Sequence, residues 1–235
     1  IELLRKKGFR GRVEKLYLGV DTKLFRKRNA LVLKKKLGLN GFVIGYMGRL
    51  IKEKSVETIL EACSGFKFDF SIAIDAGELY IEQRRLLERK AQELGLRERV
   101  VFVDPDYDEM PTYMSALDVL VLPSKTTPHW KEQFGRVLVE AMACGTPVIG
   151  SNSGSIPEII GDAGMVFREG RAKELAKKIA EIKNKKGMRD ALISRGKRRA
   201  AEVFAWNRLA GDPIKVFGEI IEKKHHRVQR EEGRV

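Results

Sequence analysis

Between Pro123 and Glu158 the chain reads PSKTTPHWKEQFGRVLVEAMACGTPVIGSNSGSIPE, a stretch with two carboxylates set where chemistry could occur. Glu132 lies in a polar loop, whereas Glu140 sits among Val137, Leu138, Val139, Ala141, Met142 and Ala143. A carboxylate in such apolar company needs partners, and a pair of ribose hydroxyls would satisfy both oxygens. Between the two, Phe134-Gly135 reads as a turn that opens a short helix at Arg136. Arg136 falls in the first turn of that helix, and Lys54 in the first turn of a helix expected after Arg49. A cation there opposes the helix dipole at a cost of a few tenths to about 1 kcal/mol. A diphosphate resting on the helix amides, with Arg49 and Lys54 reaching in, would offset the misplaced charge. The competing explanation is local pairing, since Arg136 and Glu140 are four apart, although in the weaker orientation.

Short β-rich runs alternate with longer helical patterns, which predicts an α/β fold with a Rossmann-like open parallel sheet. Strands are expected at 13–18, 42–47, 68–74, 100–103, 119–122, 147–150 and 165–167. Helices are expected at 30–37, 53–63, 80–94, 108–116 and 136–144. A helical C-terminal extension follows at 171–184, 187–203 and 207–222. The domain is therefore read as residues 1–222, with 223–235 a basic, disordered tail. Ligands of such sheets bind beyond the carboxyl ends of the strands. Gly48-Arg49, the loop 104–107 with Asp106 and Tyr107, the loop 123–133 and the turn 151–155 should share one crevice. The loop 104–107 is the expected reader of a base, but composition does not choose among uridine, guanosine and adenosine.

With 43% hydrophobic and 33% charged residues, the chain reads as a folded protein rather than a disordered one. It contains no apolar run of the length a membrane span needs. It opens with neither a secretory signal nor Met, which implies a fragment or a processed product. Cys63 and Cys144 lie in apolar helical patterns and read as packed thiols in a reducing cytoplasm. The net charge of +14 is dispersed over Arg26-Lys27-Arg28, Lys34-Lys35-Lys36, Lys183-Asn184-Lys185-Lys186 and the tail. Clusters of this kind are usually solvated faces, and no zinc-finger spacing or aromatic RNA-binding signature accompanies them, so nucleic acid is not expected. The same charge is compatible with work beside an anionic lipid surface at the inner membrane face.

The run Glu132-Gln133-Phe134-Gly135-Arg136-Val137-Leu138-Val139-Glu140 resembles the E-x7-E signature of retaining glycosyltransferases of family 4. Gly48-Arg49-Leu50 with Glu53-Lys54 is similar to that family's G-R-L-x-x-E-K-G element. Gly19-Val20-Asp21 with Phe25, Gly145-Thr146-Pro147-Val148-Ile149, and Gly154 through Glu158 resemble three further elements in the family's order. The resemblance implies the C-terminal half of a GT-B fold, in which two Rossmann-like domains face each other.

It further implies that Arg49 and Lys54 clamp a donor diphosphate, that Glu140 holds the ribose and that Glu132 touches the donor sugar. Gly48 and the amides of Phe134, Gly135, Arg136 and Val137 would complete the donor site. The implied substrate is a nucleotide-diphosphate sugar, with no metal and no other cofactor. The implied partner is an N-terminal acceptor domain outside this chain, without which the fragment should bind donor and not turn over. His129, in the same loop, reads as a loop residue rather than a proton shuttle. Ser55 stands where the family has glycine, Asp75-Ala76-Gly77-Glu78 where it has a glycine-rich turn, and Ser155 where a second glycine is common. Two other readings remain: a sugar-nucleotide epimerase of the same architecture, and a non-catalytic nucleotide-binding or anionic-surface-binding module. A dehydrogenase is disfavoured because no G-x-G-x-x-G follows the opening strands.

Overall fold

Six strands form one sheet in which every pairing is parallel, in the order β3-β2-β1-β4-β5-β6. The computed structural model describes residues 2–11, 13–211, 214–219 and 221. After α1 (Glu2–Lys6) and α2 (Leu31–Lys36) come β1 (Phe42–Tyr46), α3 (Glu57–Cys63), β2 (Phe70–Asp75), α4 (Ile81–Glu93) and β3 (Val100–Val103). The second half runs α5 (Met110–Ala116), β4 (Val119–Leu122), α6 (Arg136–Ala143), β5 (Val148–Ser151), α7 (Ile156–Ile160) and β6 (Met165–Phe167). It closes with α8 (Ala172–Asn184), α9 (Lys186–Val203) and α10 (Trp206–Leu209).

The inner strands read as unbroken apolar runs because helices cover both faces of the sheet. Every residue of β1, β4 and β5 is buried. Their core is continuous with Leu138 and Val139 of α6, Ile159 of α7 and Leu175 and Ile179 of α8. The strand order reverses between β1 and β4: from β1 the chain steps outward through β2 to β3, then returns to β4 on the other side. That reversal opens a crevice beyond the carboxyl ends of β1 and β4, where the expected ligand residues lie.

Two expectations are corrected. Residues 13–18 form no strand: Leu16 and Leu18 stay about half exposed, and Val20 makes a single bridge to Ala205. The segment attaches through side chains instead, its Tyr17 ring standing 5.3 Å from Phe204 and 6.4 Å from Phe134. The helix expected over 53–63 is broken. A single 3-10 turn spans Lys52–Lys54, Ser55 adopts a left-handed conformation (φ 50°), and only then does α3 begin. Lys54 thus lies outside the helix, and the argument from an unfavourable dipole does not apply to it. The helix expected over 207–222 is described as α10 and a further helical run over 214–219, with Ile214, Phe217 and Ile221 exposed. The basic tail 223–235, with His225 and His226, lies outside the described residues.

Candidate functional site

The two loops flanking the reversal are tied together. Lys125 N donates to the carbonyl of Glu53 at 2.8 Å, and Lys54 Nζ reaches Glu132 Oε2 at 2.5 Å. Both side chains of that ion pair are about nine-tenths covered, at 12% and 9% exposure. Ser124 Oγ donates to the same carboxylate oxygen at 2.9 Å, and the Trp130 ring lies 5.5 Å from the ammonium. Glu132 is held from behind as well: its carbonyl accepts from Ser155 N at 3.0 Å. Gly154, at φ +55°, passes so close that a Cβ there would stand 1.9 Å from the Glu132 carbonyl oxygen.

The Gly48-Arg49 turn is fixed from two sides. Gly48 N donates to Asp75 Oδ2 at 2.9 Å, and the buried Tyr46 hydroxyl donates to the Arg49 carbonyl at 2.6 Å. The exposed guanidinium of Arg49 has no carboxylate partner among the described residues. It borders a hollow of about 460 Å³ shared with Gly48, Asp75, Gly77, Tyr80 and Asp104. Burial raises the Asp75 carboxyl to about 6, against the opposing pull of the Gly48 amide and with a smaller push from Asp104.

Helix α6 begins at Gly135, a left-handed N-cap (φ 77°), and no side chain caps its amides. Its first turn holds no acidic residue, and Arg136 occupies the first position. Glu140, one turn in, is only 5% exposed. Its one partner among the described residues is Arg136 Nε at 3.2 Å, so the local pair does form. The Arg136 side chain remains 60% exposed, and burial wins over its attraction: the Glu140 carboxyl is raised to about 7. Phe134 packs its ring edge-on against Phe204 at 5.8 Å. Val137 is half-buried against the core.

Tyr107 lies across from Glu140. Its hydroxyl is raised above the usual phenol value by partial burial, then by the Glu140 charge, with Arg136 opposing. Its ring meets Phe25 edge-on at 5.6 Å. Asp106 is exposed, and its backbone N–H donates to Glu109 Oε2 at 3.2 Å.

The predicted residues therefore gather as two neighbouring sets. Arg49, Lys54, Glu132 and Gly48 stand at the reversal, while Arg136 and Glu140 stand in the first turns of α6, close enough to the loop residue Tyr107 for both charges to act on its hydroxyl. Gly135 joins them, since a Cβ on it would lie 3.8 Å from Glu132 Cγ. His129 is exposed in the loop and joins neither set. Sequence reasoning missed Asp75 and Tyr46, and reached Ser124 and Trp130 only as members of the loop 123–133. The rule that ligands gather at strand carboxyl ends could have found Asp75, which ends β2.

A parallel sheet in this order, with a crevice beyond the carboxyl ends of the strands at its reversal, defines a Rossmann-like domain. The chain belongs to the glycosyl transferases group 1 family, whose description matches residues 29–199, and its fold is that of the C-terminal half of a GT-B protein. The C-terminal domain of a glycosyl transferase group 1 family protein (LpcC) from Francisella tularensis is 26% identical. It superposes with a TM-score of 0.68, over 80% of this chain and 100% of that one. HepE from Anabaena, in complex with UDP and glucose, is also 26% identical, with a TM-score of 0.80 over 88% of this chain and 57% of that one. D-inositol 3-phosphate glycosyltransferase from Salinispora tropica is 27% identical across 92% of this chain and 48% of its own length. The chain thus spans about half the length of the curated relatives it matches.

Proposed function

We propose that this chain is the donor-binding domain of a retaining glycosyltransferase that takes a hexose from a nucleotide-diphosphate sugar. The observation that carries the reading is the rim at the reversal. An Arg49 guanidinium with no carboxylate partner among the described residues and the uncapped amides of α6 flank a Lys54–Glu132 pair that locks the two loops together. A diphosphate between them would meet charge of the right sign without any rearrangement of the loops. The relative that binds UDP and UDP-glucose supports the same substrate class.

In this reading the glycosyl–phosphate bond breaks and the departing diphosphate gathers negative charge. Arg49 and the amides of Gly135, Arg136 and Val137 stabilise that charge. Lys54 has three N–H donors, of which Glu132 engages one, so the ammonium can serve the phosphate while it positions Glu132. Glu132 then faces the sugar hydroxyls, and Glu140 accepts from the ribose. The base lies toward Tyr107 and Asp106. Acceptor chemistry belongs to a partner domain outside this chain, and the isolated chain binds donor without turnover.

Calorimetric titration with UDP, GDP and ADP tests this. At least one should bind, and Arg49→Ala should weaken it on the order of 100-fold, as expected for loss of a charge-assisted phosphate contact. Absence of binding by all three would remove this reading and the epimerase reading together, and would leave an anionic-surface module.

A further inference from the structure

Between Asp21 and Glu53 the chain has no acidic residue, while residues 23–36 carry seven cations: Lys23, Arg26, Lys27, Arg28, Lys34, Lys35 and Lys36. In the middle of this stretch lies α2, whose sequence LVLKKK buries none of its residues. Leu31 and Val32 are 72% and 83% exposed, side by side. An ordinary surface helix hides its apolar positions, so this one presents them to something other than the core.

The patch is anchored rather than loose. Phe25 and Ala30 are buried, Arg28 N donates to Ser115 Oγ at 2.9 Å, and Lys27 Nζ donates to the Ser115 carbonyl at 3.1 Å. Lys34 pairs with Asp118 at 3.5 Å. Partial burial, then the Lys34 charge, hold the Lys27 ammonium below the ordinary lysine value, with Asp118 opposing. The patch also starts at the crevice: Phe25, at its near end, packs against Tyr107.

The geometry points to a docking surface for an anionic lipid bilayer, in which Leu31 and Val32 enter the headgroup boundary and Lys35, Lys36, Arg26 and Lys23 meet lipid phosphates. Two adjacent aliphatic side chains ringed by cations suit a bilayer better than nucleic acid, which would call for aromatic stacking or base-edge donors. Another exposed apolar group, Leu79, Ile81 and Leu86 around α4, lacks this complementarity because Glu82, Glu88 and Glu93 alternate with its cations. None of the described helices is long and apolar enough to cross a membrane. The crevice would then open beside the lipid surface.

Cosedimentation of the 235-residue chain with vesicles tests the surface, using phosphatidylcholine alone and phosphatidylcholine mixed with phosphatidylglycerol, at about 0.15 M salt where screening acts over about 8 Å. The chain should partition to the mixed vesicles and not to phosphatidylcholine. Lys35→Gln with Lys36→Gln should weaken partitioning about 25-fold, at roughly fivefold per cation near an anionic surface. Leu31→Ser with Val32→Ser should weaken it about tenfold or more with the charge unchanged. Leu86→Ser should change nothing, and UDP titration of each variant, a separate readout of the donor site, should match wild type. Equal binding to both vesicle types, no binding, or full binding by the Leu31/Val32 variant would overturn the proposal. So would capture of single-stranded RNA, in place of vesicles, that depends on the lysines and not on Leu31 and Val32.

Discussion

Replacing Glu140 with Gln should stabilise the domain above neutral pH while weakening its hold on a nucleotide. The carboxyl is raised from 4.5 to about 7, with burial the dominant cause and Arg136 opposing it. A folded-state value above the unfolded one means that the ionised side chain disfavours folding. Below about pH 4.5 both states are protonated and Gln is a near-isostere, so the two proteins should be equally stable. Between about 4.5 and 7 the unfolded state releases its proton first, and wild type loses stability relative to the variant. Above 7 the gap is constant, at about 3 kcal/mol for a displacement of roughly 2.5 units at 1.36 kcal/mol each. Loss of the Arg136 contact adds little, because that side chain is 60% exposed.

Urea unfolding of both proteins from pH 4 to 9 reads the gap directly. In parallel, UDP affinity of Glu140→Gln should fall on the order of 10- to 100-fold, as a charged acceptor for two hydroxyls becomes neutral. Wild-type affinity should rise between pH 6 and 8 as the carboxylate forms. A stability gap independent of pH, or one that favours wild type at high pH, would refute the reasoning.

The Lys54–Glu132 pair should show strong coupling. Lys54→Ala leaves a covered carboxylate with only Ser124 and should cost about 3 kcal/mol, whereas Lys54→Ala with Glu132→Ala should recover much of it; a double-mutant cycle by chemical denaturation measures the coupling. Gly154→Ala should destabilise by more than 2 kcal/mol and lower donor affinity, because the added Cβ meets the Glu132 carbonyl and the positive φ disfavours it; thermal melts with a UDP titration check both. At Ser55 the left-handed backbone costs about 1–2 kcal/mol, offset by hydroxyl bonds to Glu57 and Thr58 at 3.0 and 3.1 Å. Ser55→Ala should therefore be less stable than wild type, and Ser55→Gly more stable than Ser55→Ala, in the same melts.

The sheet was largely legible because buried parallel strands are short apolar runs bounded by turn residues, as at 100–103, 119–122 and 165–167. Residues 13–18 carry the same composition yet form no strand: strand composition reports burial propensity, whereas a strand needs a sheet edge to join. The break at Ser55 was hidden for the opposite reason. Val56, Ile59, Leu60 and Cys63 give helical spacing that starts just after it, the polar Glu53 and Lys54 carry no signal of where the helix begins, and only the glycine that the resemblance places there hinted at a left-handed residue. At the site, Arg49, Lys54, Glu132, Arg136 and Glu140 could be named because their types and spacing are unusual. What the sequence could not convey is who pairs with whom. Lys54 meets Glu132 across 78 positions, and Asp75 meets Gly48 across 27, contacts that exist only once the strand order brings the loops together.

The most direct test of the central claim is a crystal structure of this chain with UDP. The diphosphate should lie between the Arg49 guanidinium and the amides of Gly135 to Val137, with the ribose hydroxyls on the Glu140 carboxylate. A nucleotide bound elsewhere, or Arg49 and Glu140 facing separate spaces with no ligand common to both, would contradict the account.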